Sequence, residues 1–246
     1  SFLIGSIVHP LEIKGYTEEN SNNFVEIFYR VFPLISETRS LTSSYLISYK
    51  FGDFFRNWFE KADTLEPVYN LYIRILNTLY PFSATDFILL VEAIEVYHRR
   101  AYNGKHLPDD DYKKEVEKLF EGASSNIQFL KDRVGYSNEW NLRKRLKQIF
   151  EKQGKILGLF IKDTDRFINC VVENRNYYVH YNEENKKEKK EILSGVKLYW
   201  LFIAVKILLE VCLLKDLGKY EDEEIKKLLD IRYSYQIFKI KESIFQ

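Results

Sequence analysis

Apolar residues recur at helical spacing along most of the chain, and the runs are separated where Gly, Pro, Asn, Asp and Ser cluster. Residues 1–16 are the exception. Phe2-Leu3-Ile4-Gly5 and Ile7-Val8-His9-Pro10, with Gly5, Pro10 and Gly15 as breakers, lean towards β structure and read as the tail of a preceding β-rich domain. Helical patterns follow over residues 18–30 and 41–61, interrupted at Pro33; the second carries Phe54, Phe55, Trp58 and Phe59 as an aromatic face suited to core packing. Glu66-Pro67 opens a helix that should end before Pro81-Phe82-Ser83. Ser83, with Asp86 three residues on, then caps a long helix over 84–102, which Asn103-Gly104 terminates.

Pro108 and the acidic triplet Asp109-Asp110-Asp111 start a helix ending near Gly122, and a short helix is expected over 124–134. Gly135 breaks the pattern, and Ser137 is placed to cap a basic helix over 138–152. After a hinge at Gly154 and Gly158, the run 155–172 puts Leu157, Leu159, Phe160, Ile161, Phe167, Ile168, Val171 and Val172 largely on one stripe. Residues 182–190 form a highly charged turn, 192–217 a long apolar packing helix capped by Gly218, and 219–246 a charged helix with an aromatic tail. The architecture implied is all-α: a bundle of four to five core helices with flanking short helices. Residues 1–62 read as an N-terminal segment, the tail of a preceding domain plus short helices, and 63–246 as the helical domain.

The 46% hydrophobic and 30% charged composition suits one substantial core. The net charge of +1 sets up no global field for nucleic acid. Locally, residues 131–155 hold eight basic side chains, among them Arg143, Lys144 and Arg145, against three acidic ones. That excess suits either a phosphate backbone or a solvated helix face. Cys170 and Cys212 both lie in apolar helical runs, as in a reduced cytoplasmic protein, and the four His residues show no metal-ligand spacing. No metal and no cofactor are expected. The run 198–214, broken by Lys206 and Glu210, is short for a membrane span. A chain that begins at Ser1 and holds no Met reads as a piece of a longer protein or a processed product, so an upstream sensor domain is expected outside it.

The chemistry concentrates where the 155–172 run comes to its end. Arg175-Asn176-Tyr177-Tyr178-Val179-His180 spells Arg-Asn-x-x-x-His. Asn176 and His180, four apart, share a helix face, and Arg175 lies one step round and is long enough to lean over. Arg is permanently cationic and binds phosphate bidentately, whereas His moves protons near neutral pH. Cleavage of an RNA phosphodiester by its own 2′-hydroxyl needs a proton acceptor, a proton donor and stabilisation of the pentacoordinate phosphate. One His supplies half of the proton transfer, so two chains with these segments face to face would complete the set as a homodimer.

This sextet on a helix resembles the mark of the HEPN superfamily of metal-independent endoribonucleases, Arg-x4-6-His with a polar residue after the Arg. A second stretch, Phe87-Ile88-Leu89-Leu90-Val91-Glu92-Ala93-Ile94-Glu95-Val96-Tyr97-His98-Arg99-Arg100, is similar to the first HEPN helix of ApeA-type abortive-infection proteins. The resemblance implies catalytic Arg175, Asn176 and His180, RNA (tRNA first) as the partner, a composite site across a homodimer, and a role in antiphage abortive infection. It also implies that Glu92 or Glu95 orients the Arg or His, although Glu95 and Arg99 are equally placed for an i,i+4 surface pair. His98 is placed either to touch RNA or to make a structural hydrogen bond. Some toxin-type relatives carry a Tyr two residues after the His; here that position is Asn182, and Tyr181 adjoins the His instead. Two rival readings are a catalytically silent module that binds RNA, a nucleotide or a partner toxin, and a structural dimerisation domain.

Overall fold

The computed structural model describes residues 14–17, 20–26, 50–76, 82–121, 134–135, 137–181 and 191–244. The expectations for 1–13, Pro33 and 41–49, most of the helix 124–134, the charged turn 182–190, and Lys131 and Arg133 of the basic run lie outside the described residues. The first described element is a two-stranded antiparallel hairpin, β1 (Lys14–Thr17) and β2 (Asn20–Glu26), pairing Lys14 with Glu26 and Tyr16 with Phe24. The helix expected over 18–30 is thus corrected over 20–26 to a strand; 18–19 and 27–30 lie outside the described residues. Asn20-Ser21-Asn22-Asn23 is the physical reason: short polar residues that compete for backbone hydrogen bonds disfavour a helix, and pairing with β1 satisfies the backbone instead.

From Phe51 onward the described elements are all α-helices: α1 (Phe51–Glu60), α2 (Ala62–Leu76), α3 (Ala84–Tyr102), α4 (Asp109–Glu121), α5 (Leu142–Leu157), α6 (Thr164–His180), α7 (Gly195–Gly218) and α8 (Asp222–Ile244). The fold is an all-α bundle organised around α7. That helix is apolar on every side, so it is buried on every side, packing against α1, α3, α5 and α8. Its one deeply buried charge, Glu210, is 1% exposed and surrounded by partners. Both carboxylate oxygens accept from the Tyr233 hydroxyl at 2.8 Å, Tyr72 donates a further bond, and Arg232 and Lys206 stand at 3.7 and 3.8 Å. Without them a carboxylate at this depth would be prohibitively desolvated.

Three element boundaries differ from the sequence pattern. Helix α2 begins at Ala62 rather than at Glu66-Pro67, with Pro67 inside it. Leu65, Val68, Tyr69, Tyr72 and Ile75 bury one face of α2, and that packing outweighs the single backbone bond Pro67 cannot donate. Helix α5 begins at Leu142, capped by Asn141, whose side chain accepts from the Lys144 amide at 2.9 Å. Asn138, expected as its first residue, is instead buried and pairs with the Leu107 backbone in both directions, at 2.9 and 3.0 Å. The stripe read over 155–172 is two helices. Gly158 caps α5, and Asp163 caps α6 by accepting from the Arg166 amide at 2.9 Å, so Leu157, Phe160 and Ile161 reach the core from the end of α5 and the turn between. The capping box at Ser83 and Asp86 forms as the sequence indicates, with the Ser83 amide donating to Asp86 at 2.8 Å.

Candidate active site

Helix α6 buries Phe167, Ile168, Cys170, Val171 and Asn174, a stripe that turns its far side outward as the chain approaches His180. Asn174 is the polar member of that stripe and is fully buried. Its amide donates to the Cys170 carbonyl at 2.8 Å and the Glu191 carbonyl at 3.0 Å, and its oxygen accepts from the Leu193 amide at 2.7 Å. The Tyr178 hydroxyl adds a bond to the Leu193 carbonyl at 2.7 Å. These contacts fix the last two turns of α6 against the segment leading into α7, so the sextet rides on an anchored helix end. Asn174 was not singled out from the sequence. Its place on the apolar stripe, seven residues after Phe167 and three after Val171, is the signal that it is held inside.

Arg175 is partly buried and leans across to α3, where Nη2 meets Glu95 Oε2 at 3.3 Å. Its Nη1 donates to Asn176 Oδ1 at 3.2 Å. Asn176 and His180 are exposed, and Tyr181 closes the helix in the left-handed region (φ 47°), its side chain in solvent. Of the two acidic candidates, Glu95 touches the sextet, and Glu92, one turn earlier, is exposed. The i,i+4 pair expected between Glu95 and Arg99 is corrected: each prefers a partner on another element. Arg99 Nη2 meets Glu139 Oε2 at 3.0 Å, while Glu95 goes to Arg175. The packing of α3 against α6 and of the loop before α5 against α3 offers both side chains a closer charge than each other.

The three basic candidates on α5 diverge. Arg145 turns inward and is 1% exposed, donating to the Trp140 carbonyl from Nε at 2.8 Å, to Glu139 from Nη2 at 3.0 Å and to His98 Nδ1 from Nη1 at 3.2 Å. Because an arginine only donates, Nδ1 accepts and the His98 proton sits on Nε2, which donates to Gln148 Oε1 at 2.7 Å. Burial pulls the His98 pKa down to about 4; the Gln148 bond opposes the shift, and the Arg145 and Lys152 cations add to it. His98 is therefore neutral and enclosed, so it supports Arg145 and does not meet solvent. Burial likewise lowers the pKa of Arg145, with Arg99 adding to the shift and Glu139 and Glu95 opposing it. Arg143 binds Asn169 on α6, and Lys144 lies over the Trp140 ring at 4.2 Å, exposed. Of the described basic residues of that run, Arg145 is thus taken into the fold, while Lys144, Lys147, Lys152 and Lys155 stay exposed.

Gly104 explains why this interior assembles so closely. It has φ +61°, and a Cβ there would stand 2.5 Å from Arg145 Nη1 and 3.1 Å from the His98 ring. Both cysteines are buried, and burial raises the Cys170 thiol pKa to about 11 and that of Cys212 further still. Among the described residues no three His, Cys, Asp or Glu side chains gather as a metal site would require, and no helix is long and apolar enough to cross a membrane.

An all-α bundle in which α6 ends in an Arg-Asn-x-x-x-His segment, with the Arg held by a glutamate of α3, defines the class of the molecule. The model of the Apea-like HEPN family matches residues 88–223, more than half of the 246, from the second turn of α3 to the start of α8. The chain belongs to the Apea-like HEPN family, a branch of a generally ribonuclease-related group of domains. No curated protein and no solved structure matches it.

Proposed function

We propose that the protein is a metal-independent endoribonuclease that cuts RNA, tRNA first among its substrates, in antiphage abortive infection. The observation that carries this reading is the pairing of Arg175 with Glu95 beside the exposed Asn176 and His180. A guanidinium held by Glu95 at Nη2 and by Asn176 at Nη1, with 31% of its side-chain surface exposed, presents its remaining N–H donors to a phosphate. In the proposed reaction His180 removes the 2′-hydroxyl proton and the freed oxygen attacks the adjacent phosphorus. Arg175 offsets the charge that builds on the pentacoordinate phosphate, with Asn176 orienting its guanidinium. The P–O5′ bond breaks, leaving a 2′,3′-cyclic phosphate and a 5′-hydroxyl.

The leaving oxygen needs a proton, and the partner's His180 supplies it if two copies meet through the ends of α6. Exposed Val179, Tyr181 and Val196 support that arrangement. Val179 and Tyr181 adjoin His180 in the chain, and Val196 opens α7 just beyond the Tyr178–Leu193 bond that joins the two elements. Apolar side chains clustered beside a polar site suit a contact between copies.

The deciding experiment incubates the chain in EDTA with total tRNA, beside an Arg175→Ala/His180→Ala variant checked for helicity by circular dichroism. The parent is expected to give cyclic-phosphate fragments and the variant none. Cleavage that persists in the folded variant overturns the assignment of the site, and no cleavage by the parent overturns the nuclease reading.

A further inference from the structure

The charges around Arg175 form one cluster across α3, α5, α6 and the loop at Glu139. Three guanidiniums, Arg99, Arg145 and Arg175, interleave with two carboxylates, Glu95 and Glu139. One positive charge is left over. Arg175 is matched by Glu95 and Arg145 is sealed in the interior, so the surplus falls on Arg99, which shares Glu139 with Arg145. Arg175 is partly open, and the Arg99 side chain is 51% exposed.

Glu139 does not neutralise Arg99 alone, because the same Oε2 is bound at 3.0 Å by the buried Arg145. The carboxylate is thereby fixed from inside and acts as a post that holds the Arg99 guanidinium at the surface. Glu95, which holds Arg175, and Arg99 itself stand four residues apart along α3. Four residues of helix advance about 6 Å and return to nearly the same face. Two held, half-open guanidiniums beside neighbouring turns of one helix suit successive phosphates of one strand. The basic side chains of α5 are less fixed or less free for them: Arg145 faces the core, Arg143 binds Asn169, Lys144 and Lys152 lie over the Trp140 and Tyr102 rings at 4.2 and 4.1 Å, and Lys147 and Lys155, though exposed, are held only loosely, 3.7 and 3.4 Å from Asp165 and Asp222.

We infer that Arg99 is a second phosphate-binding residue, held in place by Glu139, and that the RNA strand leaves the sextet across α3 rather than along α5. The inference rests on the nuclease reading for its ligand, and the following test separates the two.

Binding of total tRNA to the His180→Ala chain is measured over a series of salt concentrations, and the same chain carrying Arg99→Gln, Arg99→Lys or Arg100→Gln is compared with it. Arg99→Gln should weaken binding roughly five- to tenfold and lower the slope of log affinity against log salt by about 0.7 to 0.9, the signature of one lost phosphate contact. Arg99→Lys should keep the slope, since the charge remains. Arg100→Gln, an equally exposed cation one step round the helix, should leave both quantities near the starting chain. A merely structural role for Arg99 would lower affinity without changing the salt slope. An unchanged slope in Arg99→Gln, or an equal drop in Arg100→Gln, overturns the inference while tRNA cleavage by the parent still stands. A His180→Ala chain that binds no tRNA overturns both.

Discussion

His98 shows how far a residue's chemistry depends on what encloses it. Beside Arg99 and Arg100 in the sequence it could touch RNA, but on so packed a helix a structural hydrogen bond is the favoured reading, and its place four residues after Ile94 and seven after Val91 points the same way. The structure closes it in completely, with Arg145 on Nδ1 and Gln148 on Nε2. Its pKa of about 4 against an ordinary 6.5 makes stability depend on pH with a definite sign. Above 6.5 the ring is neutral in both states and the fold has the full benefit. Between 6.5 and 4 the unfolded chain takes up a proton that the folded one refuses, so stability falls with the pH by up to about 3 kcal/mol, at about 1.4 kcal/mol per unit. Urea unfolding from pH 4 to 7 should show this slope in the parent and a shallower one in His98→Gln. Carboxylates contribute to both curves, so the difference belongs to His98, and parallel curves would refute the assignment. Single positions were only partly legible in the sequence. The sextet stood out because its chemistry is written in consecutive residues, whereas Glu139 and Gln148 act through partners about 40 to 50 residues away that no local pattern announces.

Pairs of elements explain why some sequence signals failed while others held. Caps are local, and the Ser83–Asp86 box follows from four residues of sequence. The start of α2 is not local, since the buried face from Leu65 to Ile75 decides it against Pro67. The ion pair drawn between Glu95 and Arg99 failed for the same reason: a helix surface offers neighbours at i,i+4, but a packed helix offers others. The cross-helix pair that replaces it has a measurable consequence. Glu95 and Arg175 keep 20% and 31% of their side-chain surface, so their attraction is worth at most about 1 kcal/mol in stability. Glu95→Gln should therefore unfold within about 1 kcal/mol of the parent, yet lose roughly tenfold or more in RNA cleavage, because a guanidinium freed from its anchor samples many orientations. Glu95→Gln added to Arg175→Ala should cost nothing further, since the carboxylate acts through the arginine. Additive losses would assign Glu95 a role of its own.

For the whole molecule, the all-α bundle was legible because α7 is apolar on all sides and every helix around it shows one apolar stripe, whereas the assembly of copies leaves no such periodic trace. The case for two copies is chemical: one imidazole cannot both accept and donate the protons of a single cleavage in one step, and His180 is exposed beside Val179 and Tyr181 at the end of α6. If each dimer holds one composite site, a copy lacking Arg175 and His180 disables the dimer it joins. Parent and Arg175→Ala/His180→Ala chains mixed in equal amounts and allowed to exchange then leave about a quarter of the dimers intact, so activity falls to about half of that given by the same amount of parent alone. Independent sites would keep all of the parent's activity, because the inactive chain would only dilute it. A tenfold excess of the inactive chain sharpens the contrast, since almost every parent copy would then be paired with a disabled one. Activity that is indifferent to that excess, in a mixture shown to exchange subunits, would mean that one copy of α6 carries both proton transfers, with the second group supplied from within the same chain.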